Sequence, residues 1–142
     1  IVALLVAAAL WGITTISAPI DVPDVARQVV AAMIAIAGGC VSVAGVLWFR
    51  RAKTTVNPLK PENASSLVAD GIYRFTRNPM YLGVLCILLA WAVFLSSAWA
   101  LVGPVAFVLY IHRFQIAPEE RILAAKFGAT YAEYKATVHR WL

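Results

Sequence analysis

The chain has 142 residues, 62% hydrophobic and 13% charged, against about 25% charged in an ordinary soluble domain. That balance excludes a soluble globule and a disordered chain, and predicts one membrane-embedded domain over residues 1–142. The net charge of +5 belongs to clustered charges in 21–27, 50–77 and 113–140 and reads as membrane orientation. A membrane chain carries Lys/Arg in its cytoplasmic loops in any case, so nucleic acid is not an expected partner.

Residues 1–20 carry no charge, and a helix of that length crosses a hydrocarbon core about 30 Å thick. The stretch has no basic leader and is longer than a signal-peptide core, which favours a true span. A second charge-free run, 28–49, ends in Trp48 and Phe49 followed by Arg50 and Arg51. This is an aromatic interface anchor and a basic stop. Residues 50–79 form a loop rich in Pro, Asn and Thr. Asp70-Gly71 marks a turn there, ahead of Ile72, Tyr73 and Phe75 interleaved with Arg74 and Arg77. Asn78-Pro79 closes the loop, with Pro79 in the first turn of the next helix.

The run 78–111 is too long for one crossing, because a single helix would rise about 51 Å. It predicts two helices, about 80–95 and 98–116, turning at Ser96-Ser97, with a kink or local unwinding of the second at Gly103-Pro104. Six Lys/Arg lie in 50–77, five in the tail, and Arg27 alone in the 21–27 loop. The positive-inside rule then places loop 50–79 and the C-terminus in the cytoplasm. The expected fold is all-α: an integral membrane bundle of about four transmembrane helices with short cytoplasmic C-terminal helices, in a bacterial inner membrane. Cys40 and Cys86 fall inside spans and read as apolar packers, with no disulfide and no metal site expected. Gly38, Gly39 and Gly45 permit close helix packing.

Chemistry-bearing residues gather at the predicted cytoplasmic edge. The helix beginning at Pro79 presents free backbone N–H groups suited to a carboxylate or phosphate. Arg74 and Arg77 read either as interfacial cations or as ligands for such an anion, and Tyr73 and Tyr81 as belt anchors or ring contacts. A helix from Ala98 rises only about 21 Å by His112, which places His112 and Arg113 near the inner boundary, where ionisable groups are functional candidates. Pro118-Glu119-Glu120 reads as a helix start with acids in its first turn. Gly128 breaks that helix, Thr130 to Glu133 has capping-box spacing, and Tyr131 and Tyr134 share one face.

The segment GIYRFTRNPMYLG (71–83) resembles the signature of membrane methyltransferases related to isoprenylcysteine carboxyl methyltransferase and phospholipid N-methyltransferases. The tail PEERILAAKFGATYAEYKATVHRWL (118–142) resembles the same family's C-terminal signature, and TTVNP (54–58) its bacterial branch. The resemblance covers about 50–142 and implies S-adenosylmethionine as methyl donor and a lipidic or prenylated acceptor. By motif, it implies that Arg77, Asn78, Pro79, Tyr81 and Gly83 line the cofactor pocket from the loop side. Glu119, Glu120, Tyr131, Tyr134 and Arg140 would close it from the tail. Glu120 and Arg113 are the catalytic candidates, Arg113 as a group that orients an acceptor carboxylate. The family most often has His where Asn78 stands; Asn can donate a hydrogen bond but cannot act as a base near neutral pH.

Two other classes remain open at this point. A membrane reductase using NADPH shares the resemblance in the C-terminal half, and a small non-enzymatic multi-span protein shares the hydropathy. A proton-coupled transporter needs an acid within a span, and all seven acids lie outside the charge-free runs.

Overall fold

The computed structural model describes residues 1–17, 20–52 and 67–142, so the TTVNP stretch lies outside the described residues. Among them the ordered elements are helical. They are α1 (Val2–Thr14), α2 (Asp24–Arg51), α3 (Pro79–Leu95), α4 (Val102–Ile111) and α5 (Ala117–Thr137). Single 3-10 turns cover Gly71–Arg74 and Ala98–Leu101, and a π turn covers His112–Ile116.

Among the described residues, two helical runs are long and apolar enough to cross a membrane: α2, and the run from Ala98 to Thr137, whose charge-free part ends at His112. α1 and α3 are apolar but shorter, 13 and 17 residues. The helix expected over 1–20 ends at Thr14. There the Thr14 and Thr15 hydroxyls donate to the carbonyls of Trp11 and Gly12 at 2.9 and 2.7 Å, the local competition that makes such residues poor helix continuers. On α2, Val29, Val30, Met33, Ile36, Val43 and Leu47 point outward and exposed, the apolar surface a bilayer covers.

The Ser96-Ser97 turn is present. Ser96 takes a left-handed φ of 51° and Ser97 is extended at the entry to the 3-10 turn. Gly103-Pro104 does not kink a helix, because α4 begins at Val102. Pro104 sits in its first turn, where the N–H it lacks has no intrahelical acceptor. The irregularity comes later. At the π turn, the Ala117 N–H reaches back to the His112 carbonyl, and Pro118 has no N–H to give to the carbonyl four residues behind it. α4 and α5 are therefore joined through a widened turn, with Pro118 in the first turn of α5. Gly128 breaks α5 as expected, with φ 50° and ψ −122°.

The helices sort into two compact units. The first comprises Ile1–Cys40 and Gly83–Tyr110. In it Leu10 is buried against Gly103, where a Cβ would come within 2.5 Å of its side chain. Gly38 of α2 faces α3 so closely that a Cβ would lie 2.7 Å from both Cys86 and the Gly83 carbonyl. The Trp91 indole donates to the Ala7 carbonyl at 3.1 Å. Gly39, by contrast, faces open space.

The second unit comprises Val41–Leu82 and Ile111–Leu142. α2 continues its small-residue stripe here. A Cβ on Gly45 would meet Met80 at 3.0 Å and Pro79 at 3.1 Å, and the Ser42 hydroxyl donates to the Met80 carbonyl. The Asp70-Gly71 turn fits its sequence signal. Gly71 has φ +61°, and a Cβ there would overlap the Trp48 indole. That turn delivers Tyr73 edge-on to Phe49, with ring centroids 5.1 Å apart.

Candidate functional site

The second unit carries a buried ionic cluster. Arg77 stands at the end of the loop, and its backbone N–H donates to the His139 carbonyl at 3.0 Å. Its guanidinium is 10% exposed and lies 2.8 Å from a Glu120 oxygen, without an aligned hydrogen bond from that nitrogen. Glu120, itself 11% exposed, accepts two bonds from Arg140, Nε to Oε1 at 3.0 Å and Nη2 to Oε2 at 2.6 Å. This is the fork-to-carboxylate geometry in which arginine binds most strongly. Burial alone raises the Glu120 carboxyl, but Arg140 and Arg77 outweigh it and hold the group below its ordinary range. The same pairing pushes the Arg140 guanidinium further up. Two cations on one anion leave the trio at +1.

The loop and tail are fastened around it. The Asn78 side-chain amide donates to the Arg140 carbonyl at 2.9 Å, and the Asn78 backbone N–H to the Thr76 hydroxyl at 3.2 Å. The Leu82 N–H donates to the Asn78 carbonyl, opening α3 with Pro79 buried in its first turn. Tyr134 donates from its hydroxyl to the Tyr73 carbonyl at 2.7 Å, and its ring lies 6.3 Å from that of Tyr131. Tyr131 is 2% exposed. Burial raises its hydroxyl, Glu120 adds to this, and Arg77 opposes it through charge and a hydrogen bond.

A second carboxyl sits beside the first with a different environment. Glu119 Oε1 accepts from the Tyr81 hydroxyl at 2.8 Å and from the Gln115 amide at 2.9 Å. Burial raises its affinity for a proton, against the two hydrogen bonds, with Glu120 adding to the rise. Adjacent acids are thus pushed apart, a pattern common at functional sites.

The structure therefore brings together Arg77, Asn78, Pro79, Tyr81, Glu119, Glu120, Tyr131, Tyr134 and Arg140. Gly83 belongs to the first unit, where its carbonyl packs against Gly38. Arg113 is exposed, with its guanidinium 5.7 Å from the Phe114 ring. Two participants lack a motif signal. Gln115 stands four residues before Glu119, a spacing at which helix side chains meet. His112 Nδ1 lies 3.0 Å from Arg140 Nη1. Because that partner is a cation, the ring nitrogen acts as the acceptor.

A model of the phospholipid methyltransferase family matches residues 26–130, a stretch that takes in Arg77, Glu119 and Glu120. An uncharacterized protein of Haemophilus influenzae is 51% identical over 63 residues, 44% of this chain and all of that protein. A probable protein-S-isoprenylcysteine O-methyltransferase of Oryza sativa subsp. japonica is 34% identical over 116 residues, 78% of this chain and 58% of the relative. Protein-S-isoprenylcysteine O-methyltransferase A of Arabidopsis thaliana is 32% identical over 106 residues, 72% of this chain and 52% of the relative. The chain thus spans little more than half the length of these plant relatives. No solved structure matches it. On the match over 26–130 and its apolar helices, the chain belongs to the phospholipid methyltransferase family of membrane proteins.

Proposed function

We propose that the chain transfers a methyl group from S-adenosylmethionine to a lipidic acceptor, a prenylcysteine-type carboxylate above all. The observation that carries this reading is the Arg77–Glu120–Arg140 trio, which has an excess positive charge. Within it the buried Arg77 Nε has no hydrogen-bond partner among the described residues. A buried N–H in that state is best satisfied by an anion, and the donor's amino-acid carboxylate is one.

When bound, S-adenosylmethionine supplies a methyl group activated on a sulfonium. Arg77 holds the carboxylate. The rings of Tyr131 and Tyr134 offer π faces to the sulfonium and the adenine. Glu119, fixed by Tyr81 and Gln115, has acceptor capacity left for ribose hydroxyls. Methyl transfer is an in-line displacement, so the residues contribute chiefly by alignment. Arg113, exposed beside the π turn, orients the acceptor's carboxylate, and a carboxylate needs no base. This matches Asn78, which serves as a hydrogen-bond donor. The loop 50–79 and the tail face the cytoplasm, where the soluble donor is found, and the four apolar helices all cross the membrane.

Titration of the purified protein with S-adenosylhomocysteine and, separately, with NADPH tests the reading. Binding of the first and not the second is expected; a monodisperse protein that binds only NADPH would refute it. With labelled donor, a farnesylcysteine carboxylate is expected to be methylated faster than a phospholipid amine. Arg113→Ala is expected to lose turnover while keeping S-adenosylhomocysteine affinity.

A further inference from the structure

Arg140 is held on three sides. The loop fixes its backbone, whose carbonyl accepts from the Asn78 amide at 2.9 Å and from the Thr76 hydroxyl at 3.4 Å. Helix α5 fixes one side of its guanidinium, with Nε and Nη2 donating to the two oxygens of Glu120. The other terminal nitrogen, Nη1, lies 3.0 Å from His112 Nδ1 and 3.5 Å from His112 Nε2. The shorter contact makes Nδ1 the acceptor.

His112 reaches that nitrogen because of the π turn. It precedes Glu120 by eight residues, and residues so spaced on a regular α-helix are turned about 80° from one another. The π turn at His112–Ile116 adds one residue to the helical circuit. The pair is then spaced as though seven apart, and the angle between them falls to about 20°. His112 and Glu120 thus share a face two turns apart, and the Arg140 head bridges them. Such widened turns recur at functional sites.

The bridge bears on a choice that Glu120 faces between two arginines. Arg140 takes both carboxylate oxygens with aligned bonds, while Arg77 Nη1 stands 2.8 Å from Oε1 without one. The Arg140 side chain is 31% exposed, against 11% for Glu120 and 10% for Arg77, so it is the member for which water competes. We propose that His112 is a positioning residue. Its neutral ring, accepting at Nδ1, holds the Arg140 fork in the plane that grips Glu120 and so keeps Glu120 from closing a two-bond pair with Arg77. The consequence for donor affinity rests on the methyl-transfer reading, in which Arg77 holds the donor's carboxylate.

Titration of wild type, His112→Leu and His112→Asn with S-adenosylhomocysteine tests the role. Leu removes the acceptor and is expected to weaken affinity about three- to fivefold, the scale of one partly exposed hydrogen bond. Asn offers an amide oxygen at the same place along the side chain as Nδ1 and is expected to restore affinity to within about twofold. Arg140→Lys keeps the charge without the planar fork, so adding His112→Leu to it is expected to cost little more, as for groups that act through one another. Wild-type affinity in His112→Leu overturns the proposal. So does His112→Asn binding as weakly as His112→Leu, or a full further loss in the Arg140→Lys background. Nitrogen NMR of unliganded His139→Gln, in which His112 is the single imidazole, reads the contact directly. At about pH 8 it is expected to show Nδ1 bare and the proton on Nε2; a proton on Nδ1 overturns the proposal. That spectrum needs no donor. A wild type that fails to bind S-adenosylhomocysteine, beside a bare Nδ1, would refute the methyl-transfer reading and uphold the His112 contact.

Discussion

The two units solve the problem of holding helices together by different means. The first uses small residues and backbone: Gly38 against Gly83, Gly103 against Leu10, Trp91 on the Ala7 carbonyl. The second keeps one such contact, Gly45 against Pro79 and Met80, and adds charge: Arg77, Glu120 and Arg140 form a largely buried trio, with Asn78 and Tyr134 tying loop to tail. Close packing is cheap in a membrane, where lipid supplies no hydrophobic force between helices. Buried charge is costly and rarely repays itself as stability. In the second unit that cost accompanies the anion-binding role proposed for Arg77.

The sharpest way to break this contrast is Glu120→Gln. The substitution leaves Arg77 buried without its counter-charge, and uncompensated buried charge costs about 3–5 kcal/mol. A large fall in the thermal midpoint in detergent is expected, together with loss of S-adenosylhomocysteine binding. The pH dependence follows. The folded state holds the Glu120 carboxyl below its ordinary value of 4.5, so between the two values the unfolded chain binds more protons. The stability this group provides is therefore complete above pH 4.5 and is lost as the pH falls through the lowered folded value. Glu119 runs the other way. Its raised carboxyl loses stability as the pH climbs above 4.5. An acid titration of wild type against Glu120→Gln isolates the first contribution, which is expected to be absent from the variant.

Gly103→Leu probes the other unit. A Cβ at that position would lie 2.5 Å from the buried Leu10 side chain, and forcing extra methylenes into a packed site costs about 1–3 kcal/mol. A lower thermal midpoint with unchanged S-adenosylhomocysteine affinity is expected. Affinity that falls in step with stability would show that the division of labour between the units is wrong.

Asn78→Leu is milder and returns to the charged unit. It keeps the side chain's volume and removes the amide that holds the Arg140 carbonyl at 2.9 Å. A hydrogen bond of this kind contributes about 1 kcal/mol, so cofactor affinity is expected to fall about fivefold with the fold intact. Isothermal titration reads this directly.

What the sequence made legible was conformational punctuation. Asp70-Gly71, Asn78-Pro79, Ser96-Ser97 and Gly128 all mark real turns or helix limits, because each depends on a φ value or a missing N–H that is local to the residue. The π turn at His112–Ile116 was not legible. It depends on which carbonyl the Ala117 N–H selects, a choice made across a whole helical turn. The cluster was legible as a set of charges at one edge, but not in its wiring. Glu119 and Glu120 are neighbours about 100° apart on a helix, and only packing decides that Glu120 meets the arginines while Glu119 meets Tyr81 and Gln115. The contact between the Gly83 carbonyl and Gly38 carries no local sequence signal either, because it depends on how α2 and α3 pack.

That wiring makes the last and smallest effect the most specific. Tyr81→Phe removes the hydroxyl that donates to Glu119 at 2.8 Å, yet the Gln115 amide still reaches the same oxygen at 2.9 Å. One lost bond of two leaves the carboxyl partly fixed, and affinity for S-adenosylhomocysteine is expected to fall only about two- to threefold. Gln115→Leu alone is expected to do the same. The double variant removes both donors from Glu119 Oε1, so the carboxyl is free to turn, and its loss is expected to exceed the product of the single effects. Groups sharing one partner couple in this way, whereas independent sites add. A strictly multiplicative result would mean that Glu119 does not hold the cofactor through this oxygen, and would shift the ribose-binding role to another acceptor.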